Sequence, residues 1–298
     1  MEKVIPNFLI IGAQKAGTTS LLRYLEAHPD IFVSDEKEVS QLYDDKNYNR
    51  RFEKYPYEKY FEAWEGQKYA GNGPVNLLYF SDHTADRIYQ YNPSMKVIAI
   101  LRNPIDRAYS AYWYLVRNGF EKESFESALD REKQILKCGS YSDRGNFTYV
   151  SHGFYYEQLT HFYNIFNNDQ LLVLFFDDLK NDARGMLKKI YQFLDIEEYY
   201  PEDMLEKKFN VGSRPKIQLI SNLIFGDYFI KKIYKSAVPA TLRHSISTNV
   251  FAKIRDLNLV PFAYPPMKSD TRETLKNIFQ KPNKKLGEFL SRDLSNWK

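Results

Sequence analysis

Apolar positions along the chain fall into short unbroken runs that alternate with amphipathic stretches. Phe8-Leu9-Ile10-Ile11 is one such run, closed by Gly12, and an apolar run without a polar break reads as a strand buried on both faces. Gly12 to Gly17 predicts a turn, and Thr18-Thr19-Ser20 opens a helical pattern carried by Leu21, Leu22 and Leu25 and stopped at His28-Pro29. Val97-Ile98-Ala99-Ile100-Leu101 predicts a second buried strand, with a helix following from about Ile105 to Arg117. Leu171 to Phe176 predicts a third, with a helix from about Ala183 to Leu194. Strands separated by helices imply an α/β fold, a P-loop-like parallel sheet with helices on both faces. Ligands of such a sheet bind beyond the carboxyl ends of its strands.

From about Asn210 the texture changes to Pro-rich and polar loops, an apolar and basic segment from Ile217 to Val260, and two short helical patterns, Asp270 to Phe279 and Pro282 to Leu290. No boundary is sharp enough to separate a second domain. Residues 1–298 therefore read as a single domain, with a core over about 1–209 and a helical C-terminal lid region over about 210–298.

Composition narrows the function. A hydrophobic content of 43% over 298 residues is enough for one substantial core. The 42 Lys+Arg against 38 Asp+Glu leave a net charge of +4, which falls short of the concentrated basic footprint of a nucleic-acid binder. The single cysteine, Cys138, excludes an intrachain disulfide and a multi-cysteine zinc site, and suits a reducing compartment. The apolar stretch from Val4 to Gly12 is broken by Pro6 and Asn7, too short for a membrane span and unlike a signal peptide. A cytoplasmic location is expected. Aromatic residues make 16% of the chain, and most rings of that kind belong in a core.

Gly12-Ala13-Gln14-Lys15-Ala16-Gly17-Thr18-Thr19-Ser20 lies between a buried strand and a helix start. Small residues let backbone N–H groups and the positive end of the helix converge on an anion, and three hydroxyls add donors. The segment is a phosphate cradle by mechanism. A nucleoside-triphosphatase loop has its lysine directly after the second glycine, followed by a hydroxyl residue for magnesium. Here Thr18 follows Gly17 and the lysine sits inside the loop at Lys15. The segment Phe8 to Leu21 resembles the 5′-phosphosulfate loop of the sulfotransferases that use 3′-phosphoadenosine 5′-phosphosulfate. Leu101-Arg102-Asn103-Pro104-Ile105-Asp106-Arg107-Ala108-Tyr109-Ser110 resembles their 3′-phosphate loop. Physics agrees, since an arginine at a strand end and a serine early in the next helix can grip one phosphate together. The closing segments, Pro282 to Leu286 and Leu294 to Trp297, are similar to the final helix of bacterial and heparan-sulfate sulfotransferases.

The resemblance implies that Gln14, Lys15, Ala16, Gly17, Thr18, Thr19 and Ser20 bind the cofactor together with Arg102 and Ser110. Asn210-Val211-Gly212-Ser213-Arg214-Pro215 sits where relatives place a third basic loop, so Arg214 is a further candidate, against the alternative of a solvated turn. Ser34-Asp35-Glu36-Lys37-Glu38 resembles the segment that carries a catalytic glutamate after a lysine, which gives the base to Glu38, with Lys15 stabilising the leaving phosphate. Val39 to Tyr43 departs from the usual residues after that glutamate. Gly71 to Phe80 also lacks the Glu or Lys many relatives carry. Relatives acting on steroids and phenols use a histidine, so His83 competes for the role. His28, His152, His161 and His244 have no motif around them, and no metal site is expected.

The resemblance implies transfer of a sulfuryl group to an acceptor that is expected to be a hydroxyl of a carbohydrate or of a small alcohol such as a sterol, phenol or lipid-like molecule. Tyr48, Tyr55, Tyr57, Tyr60 and Tyr79, with Arg50 and Arg51, suit a glycan, whereas Ile217 to Phe225 suits an apolar lid or else packs on the core. A nucleotide kinase or a catalytically silent nucleotide-binding module are the alternative readings.

Overall fold

The computed structural model describes residues 5–34, 42–43, 57–200, 213–216 and 257–298. Glu38, Tyr48, Tyr55, Arg50, Arg51 and the segment from Ile217 to Phe225 lie outside the described residues.

The three apolar runs form the inner strands. β1 (Phe8–Gly12), β4 (Lys96–Leu101) and β5 (Leu171–Phe175) lie side by side, and two shorter strands, β2 (Ile31–Val33) and β3 (Tyr69–Asn72), extend the sheet beyond β1. The order is β2-β3-β1-β4-β5, with every pairing parallel. β1 is central because all five of its residues are buried, so its run of apolar side chains faces protein on both sides. From β1 the chain builds outward in both directions, and the crevice where it does so opens at the strands' carboxyl ends.

Helices cover the sheet. α1 (Thr18–Glu26) follows β1, α2 (Ser81–Tyr91) follows β3, and α3 (Pro104–Arg117) follows β4. α4 (Phe125–Cys138), α5 (Tyr141–Phe147) and α6 (Tyr155–Tyr163) come next, then α7 (Phe176–Asn181) and α8 (Ala183–Leu194) after β5. Asn103 caps α3 by accepting from Ile105 N, with Pro104 in the first turn where no N–H is required. α5 opens on a capping box, Ser140 and Asp143 satisfying each other's backbone N–H. A small antiparallel pair, β6 (Ser213–Pro215) with β7 (Leu259–Pro261), lies outside the main sheet.

The two short helical patterns near the C-terminus form one helix, α9 (Ser269–Leu290), which runs through Pro282. A proline removes one backbone bond and usually ends a helix. Here Thr271, Leu275, Phe279, Asn283 and Leu286 are buried along one stripe that spans the proline, so packing on the core holds both halves on one axis. Leu294 and Trp297 then close onto the main core, with Trp297 against Tyr155 and Phe175.

Candidate active site

The loop after β1 turns on Gly17, whose φ of 94° begins α1. A side chain there would meet Phe176 at 2.9 Å and Leu179 at 3.1 Å, so the loop packs against the start of α7 with no room for a Cβ. α1 has neither a side-chain cap nor an acidic residue in its first turn. The positive end of its dipole is thus left for an anion. Thr18 and Ser20 are buried while Gln14, Lys15, Gly17 and Thr19 are partly exposed, so the predicted loop residues form one lip around the crevice.

Arg102, at the end of β4, reaches this loop. Its Nη1 donates to the Lys15 carbonyl at 2.9 Å, its own carbonyl accepts from Tyr155 Oη at 2.9 Å, and its guanidinium lies 4.8 Å from the Phe176 ring centre. Burial lowers its pKa, opposed by the charges of Asp106 and Asp177, but an arginine stays charged. The two predicted phosphate motifs are therefore one structure, joined across adjacent strands. Lys15 has a φ of 65°, in the left-handed region that non-glycine residues seldom occupy, and its Nζ sits 4.3 Å from the centre of the Tyr114 ring. Tyr114 shares a stripe of α3 with Ser110, four residues apart. Arg214 falls in β6, paired with Val260.

On the other side of the crevice the segment 73–80 leaves β3 and docks on β1, with Leu78 N donating to the Ile11 carbonyl at 2.8 Å. α5 covers it: Gln14 Nε2 donates to the Gly145 carbonyl at 3.4 Å, and a Cβ at Gly145 would lie 2.8 Å from Asn76 Nδ2. Gln14 Oε1 and Asn76 Oδ1 are buried here without a hydrogen-bond partner. Rings build the rest of the wall. Tyr43 stacks on Phe80 at 5.6 Å, Tyr141 packs on Phe80 at 5.2 Å, and Tyr79 stacks on His152 at 3.8 Å and 6°. The Arg144 guanidinium lies over Phe80 and Tyr141.

The histidines divide by their surroundings. His83, in α2, has Nδ1 2.8 Å from Asp82 Oδ1 and Nε2 3.0 Å from the Tyr43 carbonyl, so both nitrogens already meet acceptors. His152 is buried, and its pKa falls well below the usual imidazole value through loss of solvent, with the nearby Arg107 charge adding to the effect. It is a neutral ring in the wall. His28 accepts from Asp30 N and meets the Glu197 carbonyl, and His161 meets Ser81 Oγ. Among the described residues no group of three or more His, Cys, Asp or Glu could hold a metal ion.

Of the tyrosines expected beside the cleft, Tyr57 is wholly buried and donates to Asn72 Oδ1 at 2.7 Å, so its ring belongs to the core. Tyr60 packs against Tyr57. Tyr79 stands in the aromatic wall.

A polar network absent from the sequence reading supports both sides. Arg107, one turn into α3, is fully buried and donates to the Tyr149 carbonyl. Glu132 from α4 accepts from the backbone N–H of Tyr149, Val150 and Ser151 at 2.7 to 2.8 Å. Glu121 accepts from Tyr149 Oη and pairs with Arg131. Burial pushes the Glu121 carboxyl up, and those hydrogen bonds outweigh it and hold the pKa low. Backbone groups that would otherwise be buried unpaired are satisfied by carboxylates, which fixes the turn carrying His152.

Comparison with known proteins follows the same outline. A family model described as "Sulfotransferase domain" matches residues 6–210. The bifunctional heparan sulfate N-deacetylase/N-sulfotransferase 1 of Caenorhabditis elegans is 26% identical over 66% of this chain and 23% of its own. The human heparan sulfate glucosamine 3-O-sulfotransferase 5 is 26% identical over 64% of this chain and 54% of its own. The chain thus spans only about a quarter to a half of these relatives' lengths. A solved sulfotransferase from Alicyclobacillus acidocaldarius superposes over 99% of both chains, with a TM-score of 0.70 and 25% identity.

Proposed function

The chain belongs to the sulfotransferase domain family, and from that premise we propose that it transfers a sulfuryl group from 3′-phosphoadenosine 5′-phosphosulfate to a hydroxyl of a carbohydrate or small-molecule alcohol. The observation that carries this reading is the hydrogen bond from Arg102 to the Lys15 carbonyl, which joins the loop suited to a 5′-phosphate with the arginine suited to a 3′-phosphate. Two anion-seeking groups on adjacent strand ends match one nucleotide phosphorylated at two positions.

The crevice fits such a nucleotide. Gly17 lets the loop pack on Phe176 and Leu179 where a Cβ would not fit, the α1 N-terminus lacks a competing acid, and Arg102 brings a partly buried positive charge. When bound, the cofactor supplies an activated sulfuryl group. Gln14 to Ser20 would hold its 5′ end, Arg102 and Ser110 its 3′-phosphate, and Arg214 would add charge from the β6 side.

Transfer forms a bond from the acceptor oxygen to sulfur and breaks the bond from sulfur to the 5′-phosphate oxygen. The hydroxyl proton must leave as that happens. Glu38 is assigned as the base that takes it, a role supported by its resemblance to the family segment and by the position of His83, whose nitrogens are both engaged. Lys15 would swing from the Tyr114 ring to the departing phosphate oxygen and stabilise the charge developing there. The rings of Tyr79 and Tyr141, backed by the buried Phe80, would exclude water and stack on the acceptor.

The relatives named for heparan sulfate favour a carbohydrate acceptor, and full-length agreement with the Alicyclobacillus enzyme favours a bacterial-type enzyme. A single cysteine suits a cytoplasmic setting. No described helix is long and apolar enough to cross a membrane. The test is transfer of labelled sulfate from the cofactor to a panel of glycans, phenols and sterols. Glu38→Gln should keep nucleotide binding and lose most turnover; a near-normal rate would move the base elsewhere, and ATP hydrolysis without sulfate transfer would establish a kinase-like enzyme instead.

A further inference from the structure

We propose that Arg144 reads an anionic group, a carboxylate or a sulfate, carried by the acceptor, and so decides which acceptors are preferred. The inference rests on the sulfuryl-transfer reading above and deepens it, because it names a specificity residue on the ring side of the crevice.

The backbone around Arg144, in α5, is pinned from both sides of the crevice. Its carbonyl accepts from Thr148 Oγ1 and meets His152 Nε2 at 3.4 Å, and the carbonyl of the next residue, Gly145, accepts from Gln14 Nε2 of the phosphate loop at 3.4 Å. The side chain therefore starts where loop and wall meet. It then lies across the rings, with the guanidinium carbon 5.6 Å from the Phe80 ring centre and 6.0 Å from that of Tyr141. Those rings are themselves held, Phe80 by stacking with Tyr43 and Tyr141 by an edge contact with His83 at 5.8 Å. The segment 73–80 separates Arg144 from the strand ends, with Leu78 bonded to Ile11 on one side and Asn76 against Gly145 on the other.

What this guanidinium lacks is an anion. Among the described residues no carboxylate pairs with it, and its Nε is buried without an acceptor. Acids on the neighbouring elements are engaged elsewhere: Asp143 accepts from the N–H and hydroxyl of Ser140, and Asp82 lies 2.8 Å from His83 Nδ1. Arg102 and Arg131 differ, the first donating to the Lys15 carbonyl and the second pairing with Glu121. An arginine keeps its charge, and its planar fork matches a carboxylate or sulfate through paired N–H bonds. Rings beside such a fork suit a ligand with a flat or apolar face and an anionic substituent at its edge. A neutral acceptor would cover the cation and leave it without a counter-charge.

The experiment compares phenyl β-glucuronide with phenyl β-glucoside, which differ in carrying a carboxylate or a neutral hydroxymethyl group, and with the same glucoside sulfated on that hydroxymethyl. Each is titrated calorimetrically into wild type, Arg144→Gln and Arg144→Lys, all saturated with 3′-phosphoadenosine 5′-phosphate. In wild type one or both anionic glycosides should bind about tenfold more tightly than the neutral one, the effect of one charge-assisted contact, and which of them does so separates carboxylate from sulfate. Arg144→Gln should erase that preference while affinity for the nucleotide and for the neutral glycoside stays unchanged, and Arg144→Lys should keep part of it. Equal affinity for the three glycosides in wild type, binding of none, a preference that survives in Arg144→Gln, or a matched loss on all three would overturn the proposal. If Arg144→Gln fails to fold in a thermal melt, the same ratios in Arg144→Lys decide. Wild type that does not bind the nucleotide, measured before any glycoside is added, would overturn the sulfuryl-transfer reading itself, an outcome distinct from a missing preference for anionic glycosides.

Discussion

The two sides of the crevice are built by different chemistry. On the side proposed for the nucleotide, β1 and β4 end next to each other, and backbone groups, Gly17 with its φ of 94° and Arg102 line the crevice. On the facing side, the wall is made of rings from four separate segments, with Tyr43, then Tyr79 and Phe80 before α2, Tyr141 in α5 and His152 ahead of α6. A phosphate has the same shape in every relative, so a fixed backbone cradle can serve it. An acceptor differs between enzymes, and side chains on loops and short helices can vary without disturbing the sheet.

Lys15→Ala should separate the sides most sharply. Its loss should reduce turnover by about 100-fold or more, the effect of removing one group that stabilises developing charge, with the melting temperature unchanged because the ammonium rests on an exposed ring. Gly17→Ala should come next. A Cβ at 2.9 Å from Phe176 pushes on the ring under Arg102, and a φ of 94° strains any other residue. Stability should drop by about 1–2 kcal/mol in denaturant titration, and nucleotide affinity should fall with it.

On the ring side, His152 makes stability depend on pH. Its folded pKa lies well below the unfolded value, so the unfolded chain binds the extra proton and stability is lost as pH falls below about 6.5. The slope should approach ~1.4 kcal/mol per pH unit, and His152→Phe should flatten it in melts between pH 5 and 7. The smallest effect is expected for Tyr79→Leu, which keeps bulk and removes the stacked ring. Acceptor KM should rise a few-fold while nucleotide affinity stays at the wild-type value; a matched loss of both would erase the distinction between the sides.

What the chain reveals in advance follows the same division. β1, β4 and β5 are legible because an unbroken apolar run has few other uses, and the glycine spacing between β1 and α1 reports backbone geometry directly. β2 and β3 are hidden because Ile31–Val33 and Tyr69–Asn72 are too short to show a period. Pro282 disguises α9 as two helices, since local propensity says nothing about a buried stripe on both sides of it. Arg107 has no role of its own in the sequence pattern, and its burial depends on the Tyr149 carbonyl 42 residues later. The meeting of Lys15 with Tyr114 is more remote still in sequence. Tyr57 shows the converse: a tyrosine in a polar stretch near the crevice is consumed by the core through Asn72.

The claim at the centre is that the loop at Lys15 and the strand end at Arg102 hold one nucleotide between them. Calorimetric titration of 3′-phosphoadenosine 5′-phosphate into wild type and Arg102→Ala tests it directly. Affinity should fall by about 100-fold in the variant, since the arginine both contacts phosphate and ties down the Lys15 carbonyl; equal affinity in the two proteins would contradict it.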